Sequence, residues 1–263
     1  MAVIEKKAYA KINLTLEILG RRRGDGFHDI ASVMHKIDLH DTVRVTVGET
    51  EGITLVCDKD VCAPEENLAY RAAKSCYVAL GRTPRVHIEI RKSIPAGAGL
   101  AGGSADAAAV LDALGAAEGS LTDDELSALA LSLGSDVPFC LERHSCAKCT
   151  GRGEIMEDLP PLALFDRVRV EVPETPLSTG GIYAAYDERY GDDYTKNGTE
   201  HMAALIGKGA PLEEIVPYMN NDFEALCVER CPAIGAIRDK MRLEGLAAQM
   251  SGSGSAVFGI RYR

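Results

Sequence analysis

A glycine-rich segment gives the strongest chemical signal in the chain. It reads Pro95-Ala96-Gly97-Ala98-Gly99-Leu100-Ala101-Gly102-Gly103-Ser104-Ala105-Asp106 and joins a predicted strand to a predicted helix. Small residues let backbone N–H groups approach a ligand closely, and the helix behind adds free N–H groups and the positive end of its dipole. Four glycines and three alanines in nine positions are more than a tight turn requires, so the segment predicts a phosphate site.

Polar and aromatic side chains in three other segments could also serve chemistry. Lys11 and Asn13 share the polar face of one predicted strand, Asp136 lies in a turn-forming segment, and Phe27-His28 follows a Gly-Asp-Gly turn. Taken alone, each has a plainer interpretation: a solvated lysine at a sheet edge, an aspartate that forms a turn, or the tip of a hairpin. None of the three identifies a reaction by itself.

A second small-residue segment, Met250-Ser251-Gly252-Ser253-Gly254-Ser255-Ala256, precedes the last predicted strand. It suits a plain hairpin turn. Two glycines flanked by hydroxyl groups also suit contact with a ligand that carries phosphate.

The kind of phosphate ligand is a separate question. Gly97, Gly99 and Gly102 match the dinucleotide-binding fingerprint, but the loop follows several strands, and Asp123 and Asp124 at the expected distance begin a helix. This context disfavours a dinucleotide-dependent oxidoreductase. A P-loop requires a Lys-Ser or Lys-Thr pair after the glycines, and this chain has none there. The chain also lacks the His-Arg-Asp and Asp-Phe-Gly segments of a protein kinase.

Strands and helices must position these residues. Residues 11–18 alternate between polar and apolar types, which predicts a half-buried strand. Further strands are predicted at 30–37, 42–47, 53–57, 86–90, 168–172 and 256–262. Helices are predicted at 68–80, between Asn67 and Gly81, at 104–117, and at 126–133 after a capping box of Thr122 and Glu125.

The order of these elements indicates an α+β fold. Strands and helices mix without strict β-α-β alternation. The composition changes after Gly153, and a strand followed by three or four short helices is predicted beyond it. We therefore expect two domains, 1–155 and 156–263.

Composition limits the partners. The 263 residues include 29 basic and 39 acidic side chains, a net charge of −10, which disfavours a nucleic-acid-binding surface. We find no apolar run of the roughly 20 residues that a membrane span needs and no secretory signal at the N-terminus, so we expect a cytoplasmic protein. The eight cysteines are expected to be free thiols, and Cys146 and Cys149 alone do not make a metal site.

Taken together and in order, the segments resemble the GHMP family of small-molecule kinases, which includes galactokinase, homoserine kinase and mevalonate kinase. The glycine loop resembles the phosphate loop of that family, and residues 250–259 resemble its C-terminal glycine motif. The other matching segments are Ala10-Lys11-Ile12-Asn13-Leu14, Gly20-Arg21-Arg22, Asp25-Gly26-Phe27-His28, Ile37-Asp38-Leu39-His40-Asp41-Thr42, Ser135-Asp136-Val137-Pro138-Phe139, Gly151-Arg152-Gly153-Glu154 and Asn221-Asp222-Phe223-Glu224.

The resemblance implies a ribosomal-S5-like N-terminal domain, a ferredoxin-like C-terminal domain, and ATP with Mg²⁺ as phosphoryl donor. It implies phosphorylation of the 2-hydroxyl of a cytidylated methylerythritol, a small-molecule substrate of isoprenoid precursor synthesis. Lys11 and Asp136 would be catalytic, and Asn13, Phe27, His28 and Tyr183 would bind that substrate. The implied ATP-binding residues are Pro95, Ala96, Gly97, Ala98, Gly99, Leu100, Ala101, Gly102, Gly103, Ser104 and Ala105.

The chain departs from the family pattern at several positions. Ala98 and Ala101 replace glycines, Ala105 replaces a serine, and Phe27 replaces a tyrosine. A kinase of the same family acting on homoserine or a mevalonate-type alcohol stays open as an alternative, as does a nucleotide-binding protein without catalysis.

Overall fold

The chain forms two compact units, each assembled from several stretches of sequence. The computed structural model describes residues 2–59, 62–141, 145–164, 166–191 and 197–263. The first unit comprises Met1–Ala10, Leu39–Ala96 and Ala101–Arg143; the second comprises Lys11–Asp38, Gly97–Leu100 and His144–Arg263. These units follow spatial contacts, whereas the division into domains 1–155 and 156–263 stays a prediction.

Two long strands, β1 and β3, run from one unit into the other. The strands are β1 (Ala2–Asn13), β2 (Thr15–Arg21), β3 (His28–Val47), β4 (Gly52–Cys57), β5 (Arg85–Arg91), β6 (Cys146–Thr150), β7 (Ile155–Asp158), β8 (Val168–Glu171), β9 (Asn220–Asn221), β10 (Ala247–Met250) and β11 (Val257–Ile260). The helices are α1 (Leu68–Leu80), α2 (Gly102–Glu118), α3 (Asp123–Leu133), α4 (Val137–Leu141), α5 (Thr179–Tyr190), α6 (Gly198–Gly207), α7 (Leu212–Ile215), α8 (Glu224–Arg230) and α9 (Pro232–Leu243).

In the first unit, helices pack on a sheet. The second half of β3 pairs antiparallel with β5 from Thr42 opposite Arg91 to Val47 opposite Val86, and β4 runs parallel to β5. The core joins valines and isoleucines of these strands to a run of alanines in α2. Alanine favours the helix and its small side chain lets neighbouring elements approach closely. At Gly115 of α2, a Cβ would lie 2.9 Å from Leu126 Cδ1 of α3.

The helix ends of this unit confirm the signals in the sequence. The Asn67 side chain accepts a hydrogen bond from Ala69 N at 2.9 Å, and Gly81 ends α1 at φ +62°. The capping box of α3 is complete, since Thr122 Oγ1 accepts from Glu125 N at 3.2 Å and Glu125 Oε2 accepts from Thr122 N at 2.8 Å.

The second unit holds two groups of strands and five of the helices. The first half of β3 pairs antiparallel with β2 and β6, β9 runs parallel to β2, and β7 pairs with β6. A separate antiparallel sheet has the order β10-β11-β8. Among the described residues, the helices α5–α9 exceed the three or four short helices predicted; the four-residue α7 follows Pro211, and α9 begins with Pro232.

The strand predicted at residues 11–18 is confirmed in β1 and β2, but the prediction that it is half-buried is wrong. Both faces are buried, and the chain bends at Leu14 between β1 and β2. The polar face is buried because its side chains find partners: Thr15 Oγ1 accepts from Val33 N at 2.8 Å, and Glu17 accepts from the backbone of Gly198 and Thr199 at 2.8 and 3.1 Å. Among the described residues, none of the helices is long and apolar enough to cross a bilayer.

His35 gives the fold a built-in sensitivity to acid. It is fully buried in β3; its Nδ1–H donates to the Lys36 carbonyl at 2.5 Å, and its Nε2 accepts from Leu162 N at 3.0 Å. Burial lowers the pKa of His35 and outweighs the opposing effect of the hydrogen bond to the Lys36 carbonyl. Protonation of Nε2 would point its N–H at the backbone N–H of Leu162, which donates to that nitrogen in the neutral ring.

We therefore expect His35 to contribute a loss of unfolding free energy as the pH drops below about 6.5, where the unfolded chain binds a proton that the folded chain resists. Chemical denaturation between pH 7 and pH 5 measures this contribution as the difference in slope between the parent chain and His35→Gln, which approaches about 1.4 kcal/mol per pH unit for one proton. His201→Gln, at an exposed position on α6, should keep the parent slope. Equal slopes for His35→Gln and the parent chain would contradict this role of His35.

Candidate active site

The middle of the glycine loop and the β10–β11 turn pack backbone against backbone in the second unit. Ala256 N donates to Ala98 O at 3.0 Å, and Ser251 Oγ donates to Gly99 O at 3.1 Å. Gly99 has φ +77°, and a Cβ there would overlap the Ser251 carbonyl oxygen. A Cβ on Gly252 would come within 3.0 Å of Gly99 O. The two small-residue segments therefore form one interlocked layer, which explains why both are rich in glycine.

Lys11 and Asn13 are fixed to that layer. Lys11 N donates to Leu100 O at 3.1 Å, and its Nζ donates to Asn13 Oδ1 at 2.7 Å. Asn13 Nδ2 donates to Ser32 Oγ at 2.8 Å, and Gln249 Nε2 donates to Asn13 O at 2.9 Å. The Lys11 residue is only 3% exposed. The arrangement holds an ammonium group at a defined place beside the glycine loop.

The far end of the loop opens α2 in the first unit. Ala101 precedes the helix at φ +58° and no side chain caps it, while the first backbone N–H groups of a helix have no acceptor within the helix. At Gly102, a Cβ would lie 2.9 Å from Ile94 Cγ2. The helix begins two residues before the predicted start at Ser104. Its uncapped N-terminus can bind an anion such as phosphate.

Asp136 lies at the start of α4 in the first unit. Its carbonyl accepts from Cys140 N at 3.1 Å, which sets the first turn of this short helix. Lys11 belongs to the second unit. The convergence of the Lys11 and Asp136 side chains stays a prediction.

Two of the residues predicted to bind the acceptor substrate meet in the second unit. The rings of His28 and Tyr183 lie 4.9 Å apart between centroids, and Tyr183 packs edge-on against Phe223 at 4.7 Å. Phe27 is 47% exposed, and the Arg152 guanidinium lies 4.5 Å above its ring. Exposed and half-buried aromatic faces of this kind can stack on a planar ring.

Several residues at these places were missed by sequence reasoning. Asp187 Oδ1 lies 2.6 Å from His28 Nε2, so the carboxylate holds the imidazole ring. Asp187 follows Tyr183 by one helical turn on α5, a spacing that could have drawn attention to it. Arg152 belongs to a segment with a noted family match, but nothing in the sequence links it to Phe27.

A buried ion cluster in the first unit was also missed. Lys92 bonds to both Asp41 and Asp106. Burial raises the pKa of Asp106 to about 7 despite the nearby lysine charge. Burial alone lowers the pKa of Lys92, but the charges and hydrogen bonds of the two aspartates outweigh it and raise that pKa.

Comparison with known proteins identifies the class to which this fold and site belong. Residues 67–143 match the model of the GHMP kinases N terminal domain, and residues 203–261 match that of the GHMP kinases C terminal domain. The chain belongs to the GHMP kinase family, whose phosphoryl donor is ATP, and it is an enzyme of the phosphotransferase class. The predicted α+β fold and the resemblance to this family are confirmed.

Particular relatives narrow the comparison. The chain is 40% identical over 260 residues to 4-diphosphocytidyl-2-C-methyl-D-erythritol kinase of Desulfitobacterium hafniense (strain Y51), covering 98% of this chain and 87% of the relative. It is also 40% identical over 264 residues to the protein of the same name from Moorella thermoacetica (strain ATCC 39073 / JCM 9320), covering 99% and 90%.

Two solved structures are similar to this chain over nearly its whole length. A crystal structure of 4-(cytidine 5'-diphospho)-2C-methyl-D-erythritol kinase matches with a TM-score of 0.80 and 35% identity, covering 98% of this chain and 90% of that one. A homoserine kinase from Cytophaga hutchinsonii ATCC 33406 shares the fold with a TM-score of 0.71 at 15% identity, covering 100% and 86%.

Gly99 and Gly97 allow a matched test of the interlocked layer. Both have positive φ, but only at Gly99 would a Cβ collide with protein atoms, since nothing lies within 4 Å of one on Gly97. Gly97→Ala should cost about 1–2 kcal/mol from backbone strain alone. Gly99→Ala adds overpacking, for a total of about 2–5 kcal/mol. Thermal unfolding measures both, and an equal loss for the two variants would contradict the contact with Ser251.

Proposed function

We propose that this kinase transfers the γ-phosphoryl group of ATP to the 2-hydroxyl of 4-diphosphocytidyl-2-C-methyl-D-erythritol, a step of the non-mevalonate route to isoprenoid precursors. Relatives with the corresponding name are 37–40% identical over nearly the whole chain. The observation that carries the proposal is the His28–Tyr183 pair held by Asp187 beside Phe27, since a cytosine-bearing substrate needs stacking surfaces and a polar group for its base.

The glycine loop is the proposed ATP site. The uncapped start of α2 offers backbone N–H groups and a positive dipole end, which suit a triphosphate. We propose that Mg²⁺ enters on the ATP phosphates, as part of the substrate, and offsets their charge. Among the described residues, no group of three or more His, Cys, Asp or Glu side chains could hold a metal ion.

Asp136 and Lys11 are the proposed catalytic residues. The Asp136 carboxylate would accept the proton of the 2-hydroxyl while that oxygen forms its bond to the γ-phosphorus and the bond to ADP breaks. The Lys11 ammonium would offset the negative charge on the transferred phosphoryl group. Asn13, which accepts a hydrogen bond from Lys11, would help to orient that ammonium beside the substrate.

The polarity of the proposed base pocket favours cytosine. In the tautomer whose proton lies on Nε2 and is donated to Asp187, Nδ1 of His28 is a hydrogen-bond acceptor. An acceptor suits the exocyclic amine of cytosine and not the keto oxygen of uracil. The ring of Phe27 would stack on the base, as the tyrosine of other family members would.

We further propose that the chain works in the cytoplasm, with its ATP-binding part within residues 1–155. Cys57, Cys76, Cys146, Cys227 and Cys231 are free thiols. Burial raises the pKa of Cys146 to about 12, which keeps this thiol protonated. Free thiols are typical of a reducing compartment.

A coupled ADP-release assay tests the proposed function. Turnover should require the cytidylated methylerythritol, and homoserine and mevalonate should give none. Turnover of either alcohol in its place would assign the chain to another branch of the family. ATP binding without turnover of any of the three would leave a nucleotide-binding protein, and NADH binding would support an oxidoreductase.

The same assay tests the general base. Asp136→Asn should lower kcat on the order of 10²–10⁴-fold, because the amide cannot accept the proton, while ATP binding stays near that of the parent chain. Asp123→Asn, at an exposed position on α3, is the matched control and should keep kcat. Unchanged turnover in Asp136→Asn would remove this residue from the mechanism.

Phe27 allows a test of the base pocket. Phe27→Ala should raise KM for the cytidylated substrate by about tenfold, since loss of base stacking costs about 1–3 kcal/mol. Phe27→Tyr keeps the ring and should keep KM, and KM for ATP should not change in either variant. An unaltered substrate KM in Phe27→Ala would place the base elsewhere.

A further inference from the structure

A buried ion cluster lies where the glycine loop leaves and re-enters the first unit. The Lys92 ammonium donates to Asp41 and, at 2.7 Å, to Asp106 Oδ2. The three side chains are 5%, 0% and 3% exposed, for Lys92, Asp41 and Asp106. Among the described side chains, Asp106 Oδ1 is the one buried polar atom with no hydrogen-bond partner.

Asp41 also fixes the backbone that enters the loop. Its Oδ1 accepts from Ser93 N at 2.5 Å and from Ile94 N at 2.8 Å. Lys92 N donates to Asp58 Oδ1 at 2.8 Å. Three successive backbone N–H groups just before the loop are therefore held by carboxylates, where the β5 ladder has ended.

The same lysine reaches the end of the loop. Asp106 lies one turn into α2, and a Cβ built on Gly102 would lie 3.4 Å from Lys92 Nζ and 2.9 Å from Ile94 Cγ2. The Lys92 ammonium thus bonds to two carboxylates. Asp41 holds the backbone before the loop, and Asp106 lies in the first turns of the helix after it.

Stability alone does not account for this arrangement. Burying one ammonium and two carboxylates is costly, and well-packed apolar side chains of similar volume often stabilise a fold as well or better. A buried ionic cluster can instead fix one geometry among several, because its partners are directional and few. The geometry in question here is that of residues 95–101.

We propose that Asp41, Lys92 and Asp106 are positioning residues for ATP: they fix the two ends of the glycine loop so that its backbone N–H groups meet the phosphates. This inference rests on the proposed function of the loop. Backbone donors bind phosphate well only when they are held in place, and a misplacement of about 1 Å costs on the order of 100-fold. Loss of this positioning should therefore raise KM for ATP and leave KM for the acceptor alcohol unchanged.

Two variants separate positioning from folding. Asp41→Asn keeps an oxygen for the Ser93 and Ile94 donors but turns an amide toward the Lys92 ammonium. The triple variant Asp41→Asn, Lys92→Met, Asp106→Leu carries no charge in the cluster and should fold, since no buried ion is left unpaired. We expect both to raise KM for ATP on the order of 10- to 100-fold, with KM for the acceptor within about twofold of the parent value.

The control lies on the same helix. Asp112 pairs with Lys6 at 2.6 Å, and the Asp112 side chain is 45% exposed. Asp112→Asn should therefore leave both KM values unchanged. Circular dichroism and thermal unfolding establish that each variant is folded before the kinetics are compared.

The outcomes are distinct. If either cluster variant folds and keeps KM for ATP within about twofold of the parent value, the proposed positioning role is overturned. If neither variant folds, the cluster serves folding and the proposal is equally overturned. A parent chain that neither binds ATP nor releases ADP contradicts the proposed function instead, before any variant is compared.

Discussion

The backbone contact between the glycine loop and the β10–β11 turn fixes the position of the neighbouring residues of the candidate site. Gly99 and the turn at Ser251 and Gly252 approach so closely that a methyl group on either glycine would meet backbone oxygen. Side chains can repack around a mutation, whereas two backbones in contact cannot. The hydrogen bond from Lys11 N to Leu100 O then ties the strand of the proposed catalytic lysine to the same rigid layer. Residues 97–100 of the loop and Lys11 are therefore fixed to the same backbone layer within the second unit.

The charge of the chain makes local donors necessary. With a net charge of −10, the protein as a whole repels ATP, and its proposed acceptor is also an anion. Positive groups are held by local contacts within each unit: the start of α2 and the buried Lys92 in the first unit, and the buried Lys11 in the second. Lys92 bonds to two aspartates at the ends of the loop, and Lys11 donates to the amide of Asn13.

The sequence predicts those features whose causes lie a few residues apart. The capping box at Thr122 and Glu125 and the helix end at Gly81 are confirmed because each depends on the neighbouring turn alone. The partners of the buried polar groups escape such reasoning. Asp41 and Lys92 are 51 residues apart, and His28 and Asp187 are 159 apart. Period-two alternation likewise marks which side chains of β2 share a face, but not that α6 covers the polar side chains Thr15 and Glu17.

Two alanines of the loop lie where the fold leaves room for a methyl group. Ala98 and Ala105 are each 2% exposed, so their methyl groups fill the interior at positions where the family resemblance leads us to expect glycine and serine. Gly99 and Gly102 have no such room, because a Cβ would meet Ser251 or Ile94. Ala101 is the exception: among the described residues it is the one non-glycine with positive φ, which costs about 1–2 kcal/mol. A helix that begins at the next residue, fixed through Gly102 against Ile94, can hold that strain. Gly97, Gly99 and Gly102 therefore stand where backbone angle or space disfavours a side chain, whereas Gly103 has neither constraint.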